Sequence, residues 1–336
     1  MPRYKFSEFA YNINQKKVPE PGDEEMYIGL EHLDSGSLKV RRWGSDVPIT
    51  GEKLVMKKGD ILFGRRNTYL RRAAIAPHNG IFSAHGMIFR PNTEVMDPDY
   101  FPFFISSDYF MNAAIRISVG SLSPTVNWKT LKDLEFDIPD IDSQRKSAVL
   151  LTAANELREA YEALLQQTDE LVKSQFIEMF LEGNKEYPIK KLTDVCKEIV
   201  AGGDKPKDIS TEKNEEYPYP VYANAETDEG LLCYSRTYRI ENAGVTIAAR
   251  GCTVGFTAVR AGKYTPVVRL IALTPGSQID PIYLKHYLDI TGLFLSTGSA
   301  QPQITIPSVK NIEMAVPPIE QQREYADFVR QSDKSK

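Results

Sequence analysis

Apolar or small residues recur at Leu150, Ala154, Leu157, Tyr161, Leu164, Thr168 and Leu171, inside a stretch, 141–183, that has no proline and whose first glycine is Gly183. Steps of four and three give a 3.5-residue period, the seam of a coiled coil, and the intervening Ala, Leu, Glu and Gln favour helix. Pro139 and Asp142 offer an entry signal, and Gly183 with Asn184 an exit. At 1.5 Å per residue the helix reaches roughly 60 Å, more than a typical domain is wide. The alternative is a long core helix. Length and a charged outer face favour a spacer or partner-binding helix, with Leu150, Leu157, Tyr161, Leu164 and Leu171 as the contact positions.

On either side the pattern shortens. Gly59-Asp60-Ile61-Leu62-Phe63 predicts a turn and a strand, and Ile88-Phe89 ends a second strand before Pro91-Asn92. Residues 100–117 are rich in aromatics and aliphatics and predict one buried helix; 134–138 predict a strand stopped by Pro139. Later segments, 245–249, 267–273, 281–293 and 312–316, repeat the order strand, strand, helix, strand. Strands and helices mix without regular βαβ alternation, which predicts α+β domains.

That repetition is also written in the residues. SVGSLSPTVNWKTLKDLEFDIPDIDSQR at 118–145 aligns without a gap to STGSAQPQITIPSVKNIEMAVPPIEQQR at 296–323, with ten identities in 28 positions. Ser118, Gly120, Ser121, Pro124, Lys132, Glu135, Pro139, Ile141, Gln144 and Arg145 recur as Ser296, Gly298, Ser299, Pro302, Lys310, Glu313, Pro317, Ile319, Gln322 and Arg323. Asp97-Pro98 and Tyr100 match Asp280-Pro281 and Tyr283, Gly59 and Arg65 match Gly244 and Arg250, and 5–9 match 191–195. The chain therefore reads as a tandem duplication. Its parts are a domain at 1–140, the spacer helix at 141–185, a second domain at 186–318 and a short distal helix at 319–336.

Composition changes this picture little. The 336 residues, 42% hydrophobic and 26% charged, suit two or three soluble domains. No apolar run approaches a membrane span, and the N-terminus lacks the apolar core of a signal peptide. Cys196, Cys233 and Cys252 are odd in number and widely spaced, which fits a reducing, cytoplasmic compartment better than a disulfide scaffold or zinc site. The net charge of −4 argues mildly against nucleic acid. Its distribution argues for it, because residues 53–72 hold seven Lys/Arg against the single acid Asp60.

Candidate chemistry concentrates at Arg65-Arg66-Asn67-Thr68-Tyr69-Leu70-Arg71-Arg72. Arginine forks grip phosphates and read guanine, asparagine pairs with adenine, and tyrosine stacks. A solvated basic loop is the alternative. Arg250, Thr253, Arg260 and Lys263 hold the corresponding stretch of the second half, beside the acidic 226–229. Catalytic signatures are missing: there is no GxxxxGK[ST], HExxH or GxSxG, and His32, His78, His85 and His286 show no ligand spacing. Val316-Pro317-Pro318-Ile319 lacks the acidic or amide residue of an adenine methyltransferase motif. The residues point to binding and positioning.

The order Gly59-Asp60-Ile61-Leu62, Gly120-Ser121 before Pro124, then Ile138-Pro139 leading to Gln144-Arg145 and a long helix, repeated once with Val316-Pro317-Pro318-Ile319-Glu320-Gln321-Gln322-Arg323, resembles the DNA specificity subunits of type I restriction–modification systems. The resemblance covers nearly the whole chain. It implies two similar target-recognition domains joined by a long coiled-coil helix. Each reads one half of a bipartite asymmetric site on double-stranded DNA, and the helices set the spacing. It implies methyltransferase (M) subunits docked on the helices for adenine N6 methylation, restriction (R) subunits, and no membrane. S-adenosylmethionine, ATP and Mg are implied in those partners and no cofactor in this chain. Family base contacts vary, so the site residues are physical inference: Arg65, Arg66, Asn67, Tyr69, Arg71 and Arg72 toward one half-site, Arg250, Thr253, Arg260 and Lys263 toward the other. The distal helix is shorter than the family's usual second helix, which leaves open a type IIB-like system with a fused methyltransferase–nuclease. A coiled-coil protein–protein scaffold is the rival from another class.

Overall fold

The computed structural model describes residues 1–183, 186–292 and 303–334. Ser296, Gly298, Ser299 and Pro302 of the repeat, and Asn184, lie outside the described residues. The chain divides into two compact units, Met1–Glu159 and Ala160–Lys336. Both are α+β.

In the first unit a four-stranded antiparallel sheet orders Ala10–Ile13, Met87–Pro91, Ile61–Phe63 and Ala73–Ile75. All three residues of Ile61–Phe63 are buried because the sheet is covered on both faces. Ile61 and Phe63 face an aromatic core with Phe6, Phe9, Phe104, Phe110 and Phe136, whereas Leu62 faces a smaller core with Ile28, Leu54 and Phe82. That smaller core lies under a second sheet in the order Lys16–Lys17, Lys53–Met56, Gly80–Phe82 and Tyr27–Ile28. The aromatic rings meet mostly edge to face, as Phe6 and Phe89 do at 5.2 Å. The strand predicted to end at Phe89 runs on to Pro91, paired with Ala10. Residues 100–117 form two helices, Phe101–Ser106 and Asp108–Arg116, rather than one. Ser107 is extended there and its hydroxyl caps Phe110 N, so the chain restarts the helix at a new angle.

The second unit repeats this plan. Its main sheet orders Cys196–Ala201, Leu270–Pro275, Gly244–Ala248 and Thr257–Arg260, all antiparallel. A two-strand antiparallel pair recurs in each unit: Arg3–Lys5 with Glu135–Asp137, and Ile189–Lys191 with Glu313–Ala315. The small sheets differ. Each holds one parallel pair, Tyr27–Ile28 with Gly80–Phe82 or Tyr219–Tyr222 with Thr265–Pro266. The antiparallel strands extend from the later partner in the first unit and from the earlier one in the second.

The long helix runs Ile141–Phe176 and continues as a π turn, Ile177–Leu181, about 54 Å for its α portion at 1.5 Å per residue. Its cap is Asp140 rather than Asp142: the Asp140 carboxylate accepts Ser143 N–H at 2.9 Å and the Ser143 hydroxyl at 2.7 Å. Those bonds, the backbone one foremost, hold the Asp140 carboxyl below the usual carboxylate range. Both helix starts share a buried glutamine. Gln144 Oε1 accepts Asp97 N–H at 2.8 Å, and its Nε2 donates to Val95 O at 2.9 Å and Pro139 O at 2.8 Å. Gln322 does the same with Asp280 N–H, Gln278 O and Pro317 O at 2.9, 2.9 and 2.8 Å.

The seam Leu150, Leu157, Tyr161, Leu164 and Leu171 lies open to solvent, between 47% and 72% exposed. The distal helix Ile319–Lys334 covers other positions of the long helix: Val172, Phe176 and Phe180 are buried, with the Phe176 and Tyr325 rings 5.3 Å apart and Tyr325 Oη donating to Val172 O. The buried positions are thus neighbours of the seam residue Leu171 rather than the seam itself. Among the described residues no helix is long and apolar enough to cross a membrane.

Candidate nucleic-acid interface

The basic loop 64–72 joins two adjacent strands and closes through Gly64 N–H to Arg72 O at 2.9 Å. Within it Asn67 and Arg71 sit in the left-handed region, at φ 54° and 50°, flanking the 3₁₀ turn Thr68–Leu70. A second segment, 119–126, braces the loop. Asn67 N–H donates to Pro124 O at 2.8 Å, Val126 N–H to Arg65 O at 2.9 Å, and Arg66 pairs with Thr125. Gly120 turns this brace at φ 116°, where a side chain would be strained. In the first unit the Gly120-Ser121-x-x-Pro124 segment is therefore the strap of the basic loop.

The six candidate residues are not equivalent once folded. Arg66 and Tyr69 are exposed, with Arg66 Nη2 reaching Ser123 Oγ at 3.3 Å. Arg72 is half-buried and its side chain makes no hydrogen bond or ion pair among the described residues. Arg71 is engaged by the Asp108 carboxylate and by Asn112 Oδ1 at 2.6 Å, which ties the loop to the helix behind it. Arg65 is half-buried and donates to Ala84 O at 3.3 Å, while its Nε and Asn67 Oδ1 are buried without partners among the described residues. Arg66, Tyr69 and Arg72 are the side chains best placed to meet a ligand.

The second unit has the same braced loop at 249–256. Ala248 N–H donates to Phe256 O at 2.8 Å, Ile304 N–H to Ala249 O at 2.8 Å, and Arg250 pairs with Gln303. Matching these bonds to those of the first unit aligns Arg250 with Arg66, not Arg65, one residue off the sequence match. Asn224 clasps this loop: its Nδ2 donates to Arg250 O, and Thr253 Oγ1 donates to its Oδ1 at 2.8 Å. Arg269, exposed at φ 75°, stands beside Arg250, its carbonyl accepting Ala249 N–H at 2.7 Å.

Two of the four second-half candidates lie elsewhere. Arg260 and Lys263 sit at the far end of the strand Thr257–Arg260, away from Arg250 and Thr253. Lys263 is exposed there, its Nζ 5.6 Å from the centre of the Tyr238 ring. Arg260 is 2% exposed, stacked 3.8 Å from the centre of the Tyr222 ring, and its Nε donates to Thr246 Oγ1 at 2.9 Å. So enclosed, its guanidinium is turned away from solvent, unlike a side chain that contacts a ligand on the surface. Asn224 and Arg269 stand beside Arg250 and were not among the sequence's candidate contacts. The repeated strap was the signal for Thr125 and Gln303, because it recurs at the same offset as the Gly-Ser motif. Nothing local marks Asn224.

Among the described residues no group of three or more His, Cys, Asp or Glu is placed to hold a metal ion. The arrangement offers arginine forks, a free aromatic ring and braced turns: a surface for an anionic, stackable polymer.

Comparison with known proteins bears on the family and the fold. Residues 184–336 match the family model of the type I restriction modification DNA specificity domain. A type I specificity subunit of Mycoplasma pneumoniae is 34% identical over 212 residues, 60% of this chain and 56% of that one. A second from the same organism is 31% identical over 271 residues, 74% of this chain and 77% of the relative. The crystal structure of a type I restriction–modification S subunit from M. genitalium has the same fold, with a TM-score of 0.67 at 14% identity, covering 99% of this chain and 89% of that one. With the duplicated fold in place, the matches to the M. pneumoniae subunits and to the specificity-domain model show that the chain belongs to the family of type I restriction–modification DNA specificity subunits.

Proposed function

We propose that the chain reads DNA on behalf of catalytic partners, each unit recognising one half of a bipartite, asymmetric site on double-stranded DNA in the cytoplasm. The reading domains are 1–140 and 186–318, the segment 141–185 with its long helix is the spacer, and the segment 319–336 carries the short distal helix. The observation that supports this reading best is the recurrence of one strapped hairpin loop in both units, with Arg66 and Arg250 at the same station. A rigid helix suits the task because two weak readers bind strongly together only when their separation matches that of their half-sites. Methyltransferase (M) subunits dock on the open seam of Leu150, Leu157, Tyr161, Leu164 and Leu171. They supply S-adenosylmethionine and methylate adenine at N6, while restriction (R) subunits supply ATP- and Mg-dependent cleavage.

The test is adenine-methylation mapping in cells that express this chain together with the methyltransferase encoded beside it, against cells lacking the chain. A split motif with a fixed gap, lost on deletion, is expected. Unchanged methylation would overturn the proposal.

A further inference from the structure

The buried Arg260 has an unusual destination. Its Nη2 donates to Glu229 O at 2.6 Å and its Nη1 faces the Glu229 carboxylate at 3.5 Å without a hydrogen bond. Glu229 belongs to the loop 223–230, whose backbone holds three successive left-handed residues: Asp228 and Glu229, each at φ 49°, and Gly230 at φ 81°. Side-chain-bearing residues rarely adopt this conformation, and it persists where surrounding contacts hold it. A Cβ on Gly230 would lie 2.2 Å from Ala223 O, so the loop's exit is equally constrained. The other end of the same loop is Asn224, the residue that clasps Arg250 and Thr253. A continuous path thus runs from the sheet through Thr246 and Arg260 to Glu229, along the strained loop to Asn224, and into the second candidate DNA loop.

Charge explains why the path needs a guanidinium. The loop carries Glu226, Asp228 and Glu229, all exposed, and would be repelled by phosphates unless anchored. Arg260 supplies a cation already held by Tyr222 and Thr246, and its planar fork grips Thr246 and the Glu229 carbonyl together. Lysine lacks that fork. The equivalent place in the first unit, judged from strand register, is Ala76: Asp60 O accepts Ala76 N–H where Gly244 pairs with Arg260. The device therefore belongs to the second unit alone.

We propose that Arg260 is a positioning residue for recognition by the second unit, acting through the strained loop 223–230 and Asn224 to fix Arg250 and Thr253. This rests on the DNA-reading function proposed above. The acidic loop then forms one wall of the reading surface, where carboxylates accept from cytosine N4 and turn away backbone phosphate.

The test is selection from a randomised DNA duplex library by the full chain, comparing the native protein with Arg260→Lys and Asn224→Ala. The native protein enriches a motif with two defined halves. Both variants should enrich a motif with one half intact and the other degenerate by at least tenfold in base preference, with melting temperature held within a few degrees. Degeneracy of the second half in Arg260→Lys with Asn224→Ala unchanged would show Arg260 to be only a fold-stabilising residue of the second unit, and an unchanged motif in both variants would overturn the path outright. If Arg260→Lys fails to fold, Asn224→Ala decides, since it breaks the last link from a partly exposed loop position. Absence of any motif with the native chain would overturn the DNA-reading function itself, and this proposal with it.

Discussion

Replacing Gln144 by alanine tests whether the repeated glutamine holds the long helix to its unit. The side chain is fully buried, and its loss strands Asp97 N–H, Val95 O and Pro139 O. A buried group left unpaired costs about 1–3 kcal/mol, and water entering the partly buried carbonyl sites returns some of that. A net loss of about 3 kcal/mol is expected, a large share of a domain's stability. Both tryptophans, Trp43 and Trp128, lie in the first unit, so their fluorescence reports that unit's unfolding in the intact chain. With a urea slope of about 2 kcal/mol per molar, the Trp transition should move down by about 1.5 M. Gln322→Ala should leave that transition in place and lower the one followed by circular dichroism. A Gln144→Ala shift below about 0.3 M, worth under 1 kcal/mol on the same slope, would refute the reasoning.

Further outcomes follow from the same geometry. Arg66→Ala should weaken DNA binding by about 1–3 kcal/mol with altered base preference if it reads a base, or uniformly with a salt slope reduced by about one if it holds a phosphate; titrations at several salt concentrations separate these. Leu157→Glu with Leu164→Glu should leave melting nearly unchanged, because both side chains are already exposed, yet abolish co-purification with the methyltransferase. Phe176→Ala, fully buried, should instead cost about 3–5 kcal/mol in denaturant titrations. His32 is held below the ordinary imidazole range by burial, with Arg42 adding to the effect and Glu31 opposing it; neutral Nδ1 accepts Gly29 N–H at 3.0 Å. Its lowered folded pKa means that its contribution to stability is complete above the unfolded value of about 6.5 and is lost as pH falls toward the folded one. Trp-monitored stability should drop between pH 7.5 and 5, and His32→Asn should flatten that part of the profile.

Much of this protein was legible in its residues, and the legible part was what repeats locally. The 118–145 and 296–323 match foretold two like units, and the glutamine in it performs the same task twice. The long helix followed from an unbroken run of helix formers. Its cap was two residues from the entry signal Asp142, because Asp140 and Asp142 both fit the composition and only the path after Pro139 selects between them. The single helix expected over 100–117 breaks at Ser107, where a hydroxyl close to the backbone offers a new cap.

What the sequence could not decide were contacts between residues far apart in the chain. Arg65 and Arg66 are interchangeable in an alignment; the strap at 119–126 fixes Arg66 as the partner of Arg250 through hydrogen bonds that no local pattern encodes. Arg260 looks like a surface cation until a second sheet lays Tyr222 against it and the loop 223–230 closes over its fork. Leu171 and Val172 are neighbours of similar hydrophobicity, and a core built from Phe176, Tyr283 and Tyr325 chooses the second. Periodicity and duplication are properties of short stretches, so the chain carries them openly. Which of two chemically similar residues is enclosed depends on what arrives from the other side, and only the tertiary structure decides that.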